Sequence, residues 1–224
     1  MLHKTRGIVF RFTKYAESSI IVTIFTEHFG LQTYIVNSAR SKTGKGKIAL
    51  YQPLTLLELV VYHKENANIL RIKEVKCFHP YQTLTSDFKK STIALFLNEV
   101  INRAVKEQSH TQELGQFLFH AFIALDQLQR NVENFHLLFL IQLSRHLGFG
   151  AHQPEEILTP FFADDVEEKI LQQLLAANFD FAIPMNQVQR RNLLDVLLRF
   201  YATHVDNFGE LKSLSVVKEI INNK

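Results

Sequence analysis

The chain is poor in the residues that specialised chemistry requires. It has one cysteine (Cys77), no tryptophan, 2 methionines, 8 glycines and 5 prolines in 224 residues. A single cysteine excludes an internal disulfide and any multi-cysteine metal site, and it fits a reducing compartment. The ten histidines are dispersed: His110, His120, His136 and His146 are spaced too widely for one helical face to gather them. None stands in an H-x-x-x-H arrangement. No long apolar run occurs; stretches such as residues 136–141 fall far short of the roughly 20 residues that span a bilayer. The N-terminus runs into strand-like alternation with no signal-peptide core. Nucleotide-binding glycine loops and the Gly-x-Ser-x-Gly elbow are absent, so no enzymatic constellation stands out. The acids Asp164, Asp165, Glu167 and Glu168 sit where a helix N-terminus is expected, and the helix dipole accounts for them.

What the chain does have is a lopsided charge. Residues 1–80 carry 12 Lys/Arg against 5 Asp/Glu, and residues 81–224 carry 13 against 17, so a balance of +7 and one of −4 hide behind a net +3. The densest basic stretch runs from Ser38 to Lys47 and contains Arg40, Lys42, Lys45 and Lys47 around Gly44 and Gly46, with no acid. Such a segment attracts a polyanion, and its glycines let it approach a phosphate backbone closely. A solvated basic loop without a ligand is the plainer reading.

Period-2 alternation predicts five strands, at 5–12, 19–26, 31–37, 54–62 and 69–76, with a short helical stretch at 47–51 between the third and fourth. Gly30 is the expected positive-φ residue of the second turn. In the first strand Ile8, Phe10 and Phe12 are expected on one face, Val9 and Arg11 on the other. In the last, Leu70 and Ile72 are expected inside, Arg71 and Lys73 outside. Three strands, a helical connection and two strands is the order of an OB-fold barrel; an SH3-like barrel or a meander has a similar strand count. Arg11, Lys14, Arg71 and Lys73 would extend the cationic surface, and Tyr15, Tyr34 and Tyr51 are candidate platforms for stacking unpaired bases.

The period changes to 3.6 near residues 78–82, which divides the chain into residues 1–80 and 81–224. Helices are expected at 87–106, 111–130, 134–147, 165–177, 187–204 and 213–222. The third is apolar nearly all round, as the central helix of a bundle is, and Gly148 is placed to end it. The fold class expected is therefore α+β: an N-terminal five-stranded OB-fold β-barrel followed by an all-α helical domain.

The stretch Gly7-Ile-Val-Phe-Arg-Phe-Thr-Lys-Tyr-Ala-Glu-Ser-Ser-Ile-Ile-Val-Thr-Ile-Phe-Thr26 with Gly30, Ala39-Arg40 and its basic follow-on, Gln52-Pro53-Leu54, residues 134–149, and residues 190–201 through Phe208-Gly-Glu-Leu-Lys-Ser-Leu214 together resemble the bacterial recombination mediator family RecO. Each match is loose, and their order along the whole chain makes the resemblance specific. It implies an OB-fold followed by a helical domain, and a non-enzymatic, cytoplasmic, nucleoid-associated role in recombinational DNA repair. It further implies binding of single- and double-stranded DNA, annealing of complementary strands, and partnership with RecR. The same resemblance implies contact with the acidic C-terminal tail of single-stranded-DNA-binding protein and, indirectly, loading of RecA. By position it carries DNA binding onto Arg40, Lys42, Lys45 and Lys47, with Arg11 and Lys14 following. Many members carry a four-cysteine zinc module, but residues 150–186 here contain no cysteine, so neither metal nor cofactor is expected. For the acidic tail, Arg103, Lys106, Arg130 and Arg145 are candidates beside an apolar groove. The rival expectation is an OB-fold interaction module that docks acidic proteins without touching DNA.

Overall fold

A computed structural model describes residues 1–41, 47–65, 67–106, 111–158, 165–180 and 182–221. Five strands, β1 (Leu2–Tyr15), β2 (Ser19–Thr26), β3 (Gly30–Val36), β4 (Leu56–Tyr62) and β5 (Leu70–His79), close into a barrel in the order β1-β2-β3-β5-β4. A one-turn helix, α1 (Lys47–Leu50), lies between β3 and β4 in sequence. All neighbouring pairs are antiparallel except β3 with β5, where Tyr34 opposes Leu70 and Ile35 opposes Arg71. This connectivity is that of the expected OB-fold barrel. Gly30 sits at φ +62° as its turn requires.

The barrel interior is filled by Val9, Ile20, Val22, Ile24, Tyr34, Leu57, Leu59, Val61 and Leu70. Two tyrosines expected to be available for stacking are thereby removed: Tyr34 and Tyr51 are buried in this core. Burial raises the Tyr34 phenol above its usual range and pushes Tyr51 up to about 12. A bulge corrects the alternation expected for β1. Val9 pairs with Ile24 and Arg11 with Thr23, so Phe10 is the extra residue and the inward parity switches there. Val9 faces the core, Phe12 packs against it, and Arg11 is kept on the exposed side. In β5 the pairing steps from Val60↔Glu74 to Val61↔Ile72, which leaves Lys73 as a second bulge. There Leu70 is buried, Ile72 packs against the core, and Arg71 and Lys73 are exposed, as alternation predicts.

The chain divides into two compact units. The first comprises residues 1–81 with 105–122, and the second residues 82–104 with 123–224. In the first unit, the leading part of α3 (Thr111–Gln127) seats on the β2–β3 turn. Thr111 donates its hydroxyl to the Glu27 carbonyl at 2.9 Å. Gly115 lies so close that a Cβ there would stand 2.9 Å from Glu27 Cγ. The Glu27 carboxylate accepts from Arg6 Nε (2.9 Å) and Nη2 (2.6 Å), and the guanidinium lies 5.2 Å from the Phe78 ring centre and 5.1 Å from that of Phe119.

The second unit contains α2 (Phe88–Ala104), α4 (Phe135–His146), α5 (Asp165–Ala176), α6 (Gln187–His204) and α7 (Leu214–Ile220). Helix α4 is the buried centre expected from its composition, with residues 135–141 all buried, and Gly148 follows it at φ +85°. Arg145, in the last turn of α4, donates to the Leu175 carbonyl near the end of α5. The Asp126 carboxylate accepts from the backbone N–H groups of Gln82, Thr83 and Leu84, and the buried Lys90 ammonium donates to the Asp126 carbonyl. Arg190 is buried as well, its Nε on Asn134 Oδ1 at 2.7 Å and its Nη1 on the Ile221 carbonyl at 3.0 Å. No helix among the described residues is long and apolar enough to cross a membrane.

Two predictions follow from these contacts. Arg6→Lys keeps the charge but loses the fork and the flat faces that sit between the two phenylalanines. It is expected to lower stability by about 1.5–3 kcal/mol, the worth of hydrogen bonds to a charged group, measured by urea unfolding. The second concerns His136, which is fully buried with neither ring nitrogen hydrogen-bonded. Burial, reinforced by Arg190, lowers its pKa to about 3. The unfolded chain then binds the extra proton first, so stability is full above about pH 6.5 and declines as pH falls toward 3. His136→Leu should shrink the loss of unfolding free energy between about pH 7 and pH 5 by on the order of 2 kcal/mol; an unchanged loss refutes the assignment.

Candidate nucleic-acid interface

The barrel's outward residues form rows set by strand register. One row holds Arg11, Thr23 and Thr33 on β1, β2 and β3. The next crosses Thr13, Ile21, Ile35, Arg71 and Tyr62 on β1, β2, β3, β5 and β4. Neighbouring strands stand about 4.8 Å apart, so Thr13 to Arg71 spans about 14 Å, the reach of a few nucleotides. Arg11, Lys14 and Arg71 are exposed, and none of them forms an ion pair among the described residues. Beside them lie Tyr15 and Tyr62, 50% and 48% exposed, and Ile69 at 50%. Tyr62 and Ile69 escaped the sequence reading, although alternation along Leu57, Leu59 and Val61 was enough to place Tyr62 outside.

Elsewhere on β1, β4 and β5 the barrel is also rich in charge, but there cations and acids are interleaved. Register sets Arg6, Glu58 and Lys76 in one row and Lys4, Val60 and Glu74 in the next. Lys76 pairs with Glu58 at 3.0 Å and Arg6 with Glu27 at 2.6 Å. A groove of about 700 Å³ runs there, lined by three cations (Lys4, Arg6, Lys76) and three acids (Glu27, Glu58, Glu74). A polyanion gains little from such a surface. Lys73 sits between the two regimes, exposed but 3.8 Å from Glu74.

Of the basic segment, Lys47 is exposed at the start of α1, and Lys42 and Lys45 lie outside the described residues. Arg40 is half-buried, with its guanidinium turned onto main-chain carbonyls: Nη2 donates to Ala16 O at 2.6 Å and Nε to Ser19 O at 3.3 Å. The register thus places Arg11 and Arg71 on the outer face, Lys14 is exposed although it shares the parity of Phe12 and pairs with buried Ile20, and Arg40 is turned onto the β1–β2 turn.

In the helical unit, a groove of about 830 Å³ is floored by Leu198, Ala202, Phe208, Leu211 and Leu214 and rimmed by Arg191, Arg199 and Lys218, with Asp195, Glu210 and Glu219 interspersed. The cations singled out from sequence for an acidic tail lie elsewhere or are engaged. Arg103 donates to the Phe208 carbonyl and to Glu99, and Arg145 to Leu175. Arg130 lines a smaller hollow of about 240 Å³ with Phe135 and Phe179. Lys106 lies in the other unit. Among the described residues, no cluster of three or more His, Cys, Asp or Glu side chains is arranged to hold a metal ion.

Residues 1–81 match the family described as Recombination protein O N terminal, and residues 85–156 match Recombination protein O C terminal. The chain is 35% identical to the DNA repair protein RecO of Flavobacterium johnsoniae, over 98% of this chain and 99% of that protein. It is 34% identical to RecO of Bacteroides fragilis (99% and 100%) and 35% identical to that of Christiangramia forsetii (98% and 99%). With a barrel of OB order, two successive family matches and relatives aligned over nearly their whole length, the chain belongs to the RecO family.

Proposed function

We propose that this protein is a non-enzymatic mediator of recombinational DNA repair, with residues 1–80 gripping DNA and residues 81–224 recruiting proteins. The observation that carries the reading is the sorting of charge on the barrel. On the β1–β4–β5 side Arg6 and Lys76 are paired with Glu27 and Glu58, whereas Arg11, Lys14 and Arg71 form no ion pair among the described residues, and Arg71 adjoins half-buried Ile35 and exposed Tyr62. Backbone phosphates take the cations and unpaired bases take the apolar and aromatic surface, so a single strand uses all of it and a duplex only the cations. The lysines at 42, 45 and 47 add charge next to this face in sequence, and Lys73 adds less because Glu74 adjoins it.

The partners proposed are those the family implies: RecR, RecA indirectly, and the acidic C-terminal tail of single-stranded-DNA-binding protein. For that tail the α6–α7 groove has the apolar floor required, with Arg191 and Arg199 at its edge, while Lys218 is taken by Asp195. The place of action is the cytoplasm, at the nucleoid.

Binding to a single strand measured across a salt series tests the DNA arm. Each phosphate neutralised contributes about 0.7 to the slope of log K against log salt, so the triple variant Arg11→Ala, Lys14→Ala, Arg71→Ala should flatten the slope by about 2. An unchanged slope removes this face from the reading. If the oligonucleotide does not bind at low salt while an acidic peptide does, the barrel is a protein-docking module. The mediator role predicts faster annealing of complementary strands precoated with single-stranded-DNA-binding protein, and an equal rate with and without this protein speaks against it.

A further inference from the structure

Resting on the reading of the α6–α7 groove above, we infer that Asp195 is an internal competitor for that groove. Its carboxylate occupies the Lys218 ammonium that an incoming acidic residue takes, so binding exchanges one carboxylate for another. Asp195 Oδ1 accepts from Lys218 Nζ at 2.5 Å, and both side chains line the groove. On α6, Arg191 and Arg199 stand one helical turn before and after Asp195, so the three share one edge of that helix. Lys218 meets this edge from α7. One acid thus sits among three cations and holds the ammonium of one of them, with Glu210 and Glu219 the other acids of the rim.

The place of the pair matches the order of groups in an acidic segment that ends in apolar residues. Leu198 lies three positions after Asp195 on α6, Leu214 lies four positions before Lys218 on α7, and both belong to the apolar floor. A helical turn rises about 5.4 Å, and an extended peptide advances about 3.3 Å per residue. A ligand whose apolar end rests on Leu198 and Leu214 therefore brings its nearest acids to the pair. The fold does not need the pair to hold α7. Glu99 of α2 holds the start of that helix, accepting from the Lys212 and Ser213 amides at 2.9 Å each. Arg190 holds its end through the Ile221 carbonyl, and Val217 and Ile221 are buried. A partly exposed ion pair adds little stability, because solvent screens it and both side chains must be ordered. The same weakness lets a second carboxylate displace Asp195, which lowers the affinity for an acidic ligand without closing the groove.

The full chain is titrated with a synthetic Asp-Asp-Asp-Asp-Leu-Phe peptide. Asp195→Asn keeps the shape of the side chain and removes the competing charge. It should bind about two- to fivefold more tightly than wild type, and the gain should shrink as salt screens the unpaired ammonium. Glu210→Gln removes one acid from the same rim and leaves the pair intact, so its gain should be smaller, under about 1.5-fold. An unchanged or lower affinity in Asp195→Asn overturns the competition. So does an equal gain in Glu210→Gln, which reduces the effect to rim charge, or a gain that persists at high salt, which reduces it to shape. Ala202→Glu, on the exposed floor, tests the seat itself and should weaken binding at least about tenfold by setting a charge against the apolar end. A peptide that binds Ala202→Glu as it binds wild type overturns the groove reading and this role together, as does one that binds neither wild type nor Asp195→Asn.

Discussion

The Arg6–Glu27 pair is the joint on which the first compact unit is built. A carboxylate at the β2–β3 turn is desolvated, which is costly unless its oxygens are filled, and Arg6 fills both from the adjacent end of β1. The guanidinium in turn needs faces to lie against, and Phe78 of β5 and Phe119 of α3 supply them. The backbone of α3 can come this close only because residue 115 has no side chain. One interaction therefore ties strand, turn and helix into the same unit, and it explains why residues 105–122 cluster with the barrel although their sequence period is helical.

That dependence also marks the boundary of what the amino-acid pattern could reveal. Strand and helix identity were legible because period 2 and period 3.6 are local properties, and the OB order followed from them. The loss of parity at Phe10 was not legible, since a bulge is decided by the register of two strands at once. The same holds for Tyr34 and Tyr51: a tyrosine in an alternating run has the same appearance whether its ring fills a barrel or faces solvent. The change of period near residue 80 marks where strands give way to helices, yet it carries no information on which unit a given helix packs in. Gly115 was the one local hint, a glycine in the middle of a good helical pattern, where it normally costs about 1 kcal/mol.

The cations show the same contrast between composition and placement. Counting charge located the basic end of the chain, and alternation located Arg11 and Arg71 on the outside. Composition could not distinguish a cation matched by an acid from one left open, because the match is made across strands: Lys76 meets Glu58, eighteen positions away, only through the β4–β5 register. Nor could it distinguish a guanidinium aimed at solvent from one aimed at the main chain, as at Arg40, because the carbonyls of Ala16 and Ser19 converge only after the β1–β2 turn has formed.

Charge sorting on a closed barrel has a consequence for how such a surface works. A barrel has no free edge, so a ligand cannot add a strand and must lie across the outer face. Across that face the register sets the short Thr23 and Thr33 in the row of Arg11, and Ile21 and Ile35 in the row of Arg71. On the DNA-binding reading proposed above, phosphates would meet Arg11 and Arg71 in adjacent rows while the short threonines leave room for the bases. Aromatic surface is confined to the margins, at Tyr15 and Tyr62. A strand gripped mainly by its phosphates and touched by aromatics only at the ends keeps most of its bases available to a complementary strand, which is the physical requirement for an annealing surface as opposed to a sequestering one.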